Sequence, residues 1–189
     1  FSSIGNKKSA GTKLVCFDSF FNSPGVYEVD MCTPMKKVIN EIGGGFKEPV
    51  KAIQVGGPLG GIVPIKEVEK LNLDFQEFAE AGFMLGHASI VSIPKDFSMV
   101  EYIHHLFKFS AEESCGKCFP GRLGSYRGKE MFDQAINKSK KIPLKLLNEL
   151  LVTMKKGSLC ALCGAIPVPI MNILKYFSDE MKNDIVQEN

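Results

Sequence analysis

The chain has 189 residues, of which 44% are hydrophobic and 23% are charged, a composition that suits one or two compact domains and excludes a disordered chain. The 23 basic residues nearly balance the 21 acidic ones, and a net charge of +2 lacks the basic excess typical of nucleic-acid-binding proteins. No apolar run approaches the ~20 residues that cross a bilayer, so we expect a soluble, cytoplasmic protein without membrane insertion.

The first half of the chain predicts an α+β domain. Residues 1–12 are polar and rich in Gly, Ser and Lys, which is typical of a linker or domain entry. Strands are predicted for four β-prone runs: residues 14–17, 26–29, 50–55 and 90–93. Turn residues between the first two runs favour an antiparallel hairpin, and Thr33 with Pro34 predicts a helix that ends at Gly43. The domain is expected to span residues 13–95.

From Asp96 onward the apolar residues recur with helical spacing. Four amphipathic helices are predicted around residues 100–107, 131–136, 143–157 and 170–177. Short connections between them predict a four-helix bundle in residues 96–189.

Motifs for hydrolysis or phosphate binding are not found in this sequence. The glycine-rich stretch 56–61 fits neither G-x-G-x-x-G nor the Walker pattern and is interpreted as a tight turn. His104 and His105 are adjacent on a helix and point about 100° apart, so they are interpreted as structural. No catalytic residue is predicted.

Four of the six cysteines form two C-x-x-C hooks, the first hook (Cys115 and Cys118) and the second hook (Cys160 and Cys163). The 41 residues between the hooks, 119–159, are enough to fold and return the chain. Each hook is predicted in a loop between helices, at ends that can meet in an up-down bundle. Convergence of the four thiolates would give a metal site.

Three interpretations of these thiolates compete. An iron–sulfur cluster suits the nearby glycines, Gly116 among them, because backbone amides must approach sulfide, and Arg122 would favour the negative charge of the cluster. Structural zinc usually has ~15–20 residues between two such hooks. A dithiol redox site needs a strand before it, whereas a helix precedes the first hook. The spacing favours a cluster over zinc and disfavours the redox dithiol.

The sequence around the first hook, ESCGKCFPGR at 113–122, resembles the E-S-C-G-x-C-x-P-C-R motif of the flavoprotein subunit of NADH dehydrogenase (complex I) and its relatives, the NAD-linked hydrogenases and formate dehydrogenases. SLCAL at 158–162, with PVP at 167–169, resembles the S-L-C-x-L-G stretch of the hydrogenase and formate dehydrogenase branch. Further similar segments extend over nearly the whole chain: residues 11–14, 24–29, 56–61 and 82–86.

This resemblance implies a ubiquitin-like β-grasp domain of the soluble-ligand-binding type, followed by a four-helix domain that holds one [4Fe–4S] cluster. It implies electron transfer between a flavin and further iron–sulfur centres, with a flavin/NAD-binding domain and other iron–sulfur subunits as partners. The family's FMN and NAD(P) domain is not recognisable here. SSIG at 2–5 resembles the segment that follows that domain, so residues 1–12 are expected to be a linker from it. The chain alone is therefore expected not to be catalytic.

The sequence departs from the family at two positions. The third ligand of the family falls at Gly121, which has no side chain, while Cys163 stands where relatives usually have glycine. We interpret this pair as a reciprocal exchange, with a rearranged site made by four cysteines: Cys115, Cys118, Cys160 and Cys163. The alternative is a structural zinc-binding interaction module that has lost the redox cluster.

Overall fold

The computed structural model describes residues 1–186 of the chain, a mixed α/β structure with one large sheet and several helices. The chain divides into two compact units, the first covering Phe1–Asp96 and the second beginning at Phe97. Within the described part of the chain, no helix is long and apolar enough to cross a membrane.

The first unit is built on a five-stranded sheet. Its elements in chain order are β1 (Thr12–Phe17), β2 (Gly25–Asp30), α1 (Met35–Lys37) continued by a π-helical segment (Val38–Ile42), β3 (Val50–Val55), β4 (Gly61–Pro64), α2 (Ile65–Val68), α3 (Phe75–Glu80) and β5 (Ser89–Pro94). The strand order is β2-β1-β5-β3-β4, with β1 parallel to β5 and the other neighbouring pairs antiparallel. The four predicted strands, the hairpin and the helix that begins after Pro34 are confirmed.

Alternating burial explains how the sheet covers its core. Val15 and Phe17 on β1 are buried, whereas Leu14 on the opposite face is exposed, as expected for a strand with one face in the core. The predicted tight turn at 56–61 is also confirmed, since the Gly60 N–H donates to the Gly57 carbonyl at 2.8 Å. This turn leads directly into β4, which was not predicted because only two β-branched residues, Ile62 and Val63, lie between Gly61 and Pro64.

Polar contacts fix the conformation of residues 1–11 and join them to the rest of the first unit. The Gly11 N–H donates to the Ile4 carbonyl at 2.9 Å, and the Met31 N–H donates to the Gly11 carbonyl at the same distance. Asn6 Nδ2 donates to Asp74 Oδ2 at 2.7 Å. Asp74 is buried and also caps α3, so this segment is held at the start of a helix.

The second unit is mainly helical. Its elements are α4 (Met99–Glu113), a π-helical turn (Pro120–Gly124), α5 (Ser125–Ile136), β6 (Ile142–Pro143), α6 (Leu144–Gly157), α7 (Ala161–Ala165), α8 (Pro167–Tyr176), a 3-10 helix (Ser178–Met181) and β7 (Ile185–Val186). The four predicted helices are confirmed as α4, α5, α6 and α8. β6 and β7 form a short parallel pair.

Close packing of α4 on α5 positions the region of the cysteines. Ile103 and Phe107 lie on the buried stripe of α4, and a Cβ atom on Gly128 of α5 would overlap the Phe107 ring. The absence of a side chain at Gly128 therefore lets the two helices approach closely. His104 adds a polar contact between them, with Nε2 lying 2.7 Å from Asp133 Oδ1. The C-terminal end of α4 and the π-helical turn before α5 are thereby held in place.

Candidate metal centre

The first hook lies in the turn that follows α4. The helix ends at Glu113, and Ser114 adopts an extended conformation that ends the helical path. Gly116 has a φ of +71°, a region that favours glycine, and its N–H donates to Ser114 Oγ at 3.3 Å. This turn leaves Cys115 exposed and Cys118 half-buried, just before the π-helical turn.

The second hook lies at the start of α7. Cys160 is the N-cap residue of this helix, extended and exposed, whereas Cys163 lies inside the helix and is only 2% exposed. The prediction that the second hook lies in a loop was therefore wrong for Cys163. Ala161 and Leu162 are strong helix formers, and they begin a short helix directly after Cys160.

The two hooks meet at Gly121, a buried residue of the π-helical turn. A Cβ atom on Gly121 would lie 3.0 Å from Cys118 Sγ and 3.0 Å from Cys163 Sγ. Because the same point lies 3.0 Å from each sulfur, the two sulfurs are at most about 6 Å apart. The structure thus brings one cysteine of each hook to a common place.

The surroundings of Cys118 favour its thiolate form. Hydrogen bonds from the backbone N–H groups of Leu159 and Gly121 lower the pKa of the Cys118 thiol below its ordinary value, against the opposing effect of burial. The nearby Ser158 hydroxyl adds to this lowering. The thiolate is the form of cysteine that binds metals, so the N–H of Leu159, directly before the second hook, helps to prepare Cys118 of the first hook for ligation.

Two hydroxyl groups lie beside Cys163. Ser110 Oγ is 3.7 Å from Cys163 Sγ, and Ser110 is completely buried on α4. Ser114 Oγ lies 3.9 Å from the same sulfur. If Cys163 were a metal-bound thiolate, both hydroxyls would be close enough to donate to its sulfur, as polar groups behind metal ligands commonly do.

The residues around Gly121 fit a thiolate-held metal group. The Ser158 hydroxyl lies near the Cys118 thiol, and it is buried without a short hydrogen bond to any other residue of 1–186. Soft thiolates suit iron–sulfur clusters and zinc. Among residues 1–186, no group of three or more Cys, His, Asp or Glu side chains is gathered as a complete metal site. The donor chemistry therefore fits, with two of the four predicted ligands brought together.

The other predicted site residues lie on the same two segments. Cys115 and Cys160 are exposed, one on each hook, and their role as ligands stays a prediction. A Cβ atom on Gly116 would lie 3.7 Å from Arg122 Cδ, so the Arg122 side chain passes beside the first hook. The Arg122 guanidinium lies 5.2 Å from the centre of the Phe119 ring. The predicted cofactor contacts of Gly116 and Arg122 also stay predictions.

Sequence reasoning missed three contributors to this site: Ser110, Ser158 and the backbone N–H of Leu159. A signal for Ser110 does exist in the sequence, since it is a polar residue that follows Phe107 by three positions on the apolar stripe of α4. No side-chain pattern reveals the N–H of Leu159, because its direction depends on the folded backbone.

The remaining two cysteines lie in the first unit and take no part in this site. Cys16 is half-buried on β1. Cys32 Sγ lies 3.4 Å from Asp74 Oδ2, and burial together with this carboxylate raises the pKa of the Cys32 thiol. Cys32 is thus held as a neutral thiol, as expected for a cysteine that packs as a small side chain in the structure.

Comparisons with known proteins agree with this chemistry. Residues 101–184 match the family model described as the NADH-ubiquinone oxidoreductase-F iron-sulfur binding region. The structure is similar to a chain of the NAD+-reducing [NiFe]-hydrogenase in its H2-reduced state, with a TM-score of 0.86 and 22% identity. That similarity covers 100% of this chain and 32% of the solved one.

The curated relatives are longer than this chain. The NADP-reducing hydrogenase subunit HndC of Solidesulfovibrio fructosivorans is 33% identical over 183 residues, which are 95% of this chain and 37% of the relative. A subunit of the NADH-quinone oxidoreductase of Rickettsia bellii (strain OSU 85-389) is 31% identical, over 98% of this chain and 45% of the relative. The chain thus spans less than half the length of either relative. The resemblance seen in the sequence is confirmed: this chain is a homologue of these subunits, and its residues 101–184 belong to the NADH-ubiquinone oxidoreductase-F iron-sulfur binding region family.

Proposed function

We propose that the chain is the electron-transfer segment of an NAD(P)H-linked flavoprotein oxidoreductase. Electrons would pass singly, in either direction, between a flavin and further iron–sulfur centres through a [4Fe–4S] cluster held by the second unit. The observation that carries this proposal is the approach of Cys118 and Cys163 to one point beside Gly121, inside the residues that match the iron-sulfur binding region.

The residues of this chain hold the cluster and set its surroundings. The proposed thiolate ligands are Cys115, Cys118, Cys160 and Cys163. N–H groups from Leu159 and Gly121 stabilise negative charge on the Cys118 sulfur, and the Ser110 hydroxyl lies beside Cys163. Burial of Cys163 keeps water away from its sulfur. Together these groups tune the reduction potential, and none of them needs to transfer a proton.

Gly116 and Arg122 have supporting roles in the same proposal. The positive φ of Gly116 turns the backbone of the first hook, which lets its amides approach the sulfides closely. Arg122 follows Cys118 by one helical turn, with its N–H donating to the Cys118 carbonyl at 2.9 Å. Its positive charge would offset part of the negative charge of a thiolate-ligated cluster.

The sheet order and the helix lengths support a finer description of the fold. The order β2-β1-β5-β3-β4, with β1 and β5 parallel in the middle of the sheet, supports a ubiquitin-like β-grasp domain over residues 13–95. The four longest helices, α4, α5, α6 and α8, support a four-helix bundle within residues 96–189. Residues 1–12 would connect these domains to a domain that binds FMN and NAD(P).

The partners follow from the same reasoning. A cluster that exchanges single electrons needs a donor and an acceptor, which we propose to be a flavin/NAD-binding domain or subunit and other iron–sulfur subunits. Relatives named as hydrogenase and oxidoreductase subunits support this proposal. We place this assembly in the cytoplasm, as a soluble complex or one peripheral to a membrane. The segment by itself should not oxidise NADH.

Metal analysis of anaerobically purified protein tests the function. We expect a brown protein with about four iron and four sulfide per chain, and an electron paramagnetic resonance signal after reduction. Cys118→Ser should lose most of the iron, because it removes the thiolate that Leu159 and Gly121 stabilise. Cys16→Ser, in the first unit, is the matched control and should keep it. Zinc without sulfide in the parent protein would overturn the proposal and favour a structural zinc module.

A further inference from the structure

We propose that Cys163 ligates iron from the space that a side chain at position 121 would occupy, so that Gly121 and Cys163 act as one functional pair. This inference rests on the proposed function and deepens it. A Cβ atom on Gly121 would lie 3.0 Å from Cys163 Sγ and 3.3 Å from Cys163 Cβ. These contacts are tighter than ordinary van der Waals contacts, so a side chain on residue 121 would crowd the thiol of residue 163.

The backbone at position 121 does not itself require glycine. Gly121 lies in the π-helical turn, and it is not among the glycines with positive φ. Glycine is disfavoured in helical backbone, because it gains more freedom on unfolding than other residues. The two sulfurs against its missing Cβ give a reason for its presence. The glycine leaves the space between the two sulfurs free of a side chain.

The surroundings of Cys163 direct its sulfur toward the first hook. Cys163 is 2% exposed, and three groups of the first hook and its flanks lie around its side chain: Ser110 Oγ at 3.7 Å, Ser114 Oγ at 3.9 Å and the Cβ position of Gly121 at 3.0 Å. Cys160 precedes it by three residues and starts the same helix. One short helix can therefore present an exposed and a buried thiolate to the same metal group.

Four variants of the chain test the pair, with iron and sulfide content and electron paramagnetic resonance as readouts. Cys163→Ala removes one of four thiolates, and we expect it to lose at least about a quarter of the iron, with a [3Fe–4S]-type signal in what remains. Gly121→Ala should lower the iron content similarly, because the methyl group meets both sulfurs. Gly164→Ala is the matched control, since its Cβ would make ordinary contacts at 3.7 Å and 3.9 Å, and it should keep the parent content.

The double variant Gly121→Cys with Cys163→Gly tests whether a thiolate on either residue can serve the site, or whether a change at either residue merely damages it. It moves the thiolate from α7 to the π-helical turn and leaves the total side-chain volume of the two positions unchanged. We expect its iron content to exceed that of both Gly121→Ala and Cys163→Ala and to approach the parent value. Far-ultraviolet circular dichroism of the metal-free proteins shows whether each variant is folded, and a folded variant with little iron identifies a ligand defect.

The outcomes distinguish this inference from the proposed function. A parent protein without iron and sulfide overturns both. A parent with a complete cluster, together with Cys163→Ala or Gly121→Ala proteins that keep all of their iron, overturns the pair and leaves electron transfer standing. A double variant with no more iron than Cys163→Ala also overturns the shared position.

Discussion

The Ser110 hydroxyl offers a sharp test of how the protein sets the reduction potential of the cluster. Ser110 is completely buried, and its Oγ lies 3.7 Å from Cys163 Sγ. When Cys163 is a metal-bound thiolate, the hydroxyl can only donate to the sulfur. This donation stabilises the reduced cluster more than the oxidised one, because the reduced form carries one more negative charge. Ser110→Ala should therefore lower the potential.

The distance sets the size of the effect. Hydrogen bonds to charged groups contribute about 1.5–3 kcal/mol, but only the difference between the oxidised and reduced forms changes a potential. At 3.7 Å we assign about 0.5–1 kcal/mol to that difference. Since 59 mV corresponds to about 1.4 kcal/mol for one electron, the expected decrease is about 20–40 mV.

A redox titration followed by electron paramagnetic resonance measures this decrease directly. Thr153→Ala is a suitable control, because the Thr153 hydroxyl donates to the Glu149 carbonyl within its own helix. The control should leave the potential within a few millivolts of the parent value. A potential that stays constant or rises in Ser110→Ala, with full iron content, would refute the assignment of Ser110 as a donor to the ligand sulfur.

Two further predictions concern the stability of the two units. Gly128→Ala should lower the free energy of unfolding of the second unit by about 1–3 kcal/mol, because the added methyl overlaps the Phe107 ring; chemical denaturation followed by circular dichroism measures it. Asp74→Ala should destabilise the first unit by about 1–2 kcal/mol at neutral pH, since the Asp74 carboxylate accepts from Gln76 N at 2.7 Å and Glu77 N at 2.9 Å. Burial raises the pKa of Asp74, but hydrogen bonds from the Glu77 N–H and other donors outweigh it and lower the pKa overall. The carboxylate therefore adds stability above the ordinary carboxyl range near pH 4, and the difference from Asp74→Ala should shrink as the pH falls below it.

Matched variants sharpen both measurements. Gly164→Ala adds the same methyl group with ordinary contacts and should change stability much less than Gly128→Ala. Asp74→Asn keeps a side chain that can cap α3 but has no charge to titrate, so it should show a smaller dependence on pH than the parent. Equal unfolding of Gly128→Ala and the parent would contradict the close approach of α4 and α5. A constant Asp74→Ala difference down to pH 2 would contradict the lowered pKa.

Elements with a strong apolar period were predictable from the sequence. Helix α6 buries Leu147, Leu151 and Met154 along one face over more than one turn, so the apolar period identifies it as a helix. In β1 the alternation of buried and accessible residues identifies a strand. The shorter elements β4, α2 and α3 were missed. None of these three segments shows a period that separates strand from helix, so tertiary contacts decide their conformation.

The candidate site was likewise predictable from the sequence only in part. The pairing of two C-x-x-C hooks could be read from spacing, whereas the anomaly of glycine at 121 with cysteine at 163 came from the resemblance to the family motif. The helical placement of Cys163 could not, because a five-residue helix between Cys160 and Pro167 leaves too few residues for a period to appear. The N–H groups directed at Cys118 were also out of reach, since backbone donors leave no trace in the residue types.

The position of the two hooks links iron supply to folding. On the proposed ligation, a metal group bound by Cys118 and Cys163 closes a loop of roughly 45 residues that contains α5 and α6, and a cross-link of that length removes about 4 kcal/mol of chain entropy from the unfolded state. Because structural metal sites contribute their binding energy to folding, a chain that has lost its iron would hold α7 against the π-helical turn more weakly. Weaker packing of α7 would let the buried thiol of Cys163 become exposed more often, so a chain without its cluster should have a shorter lifetime.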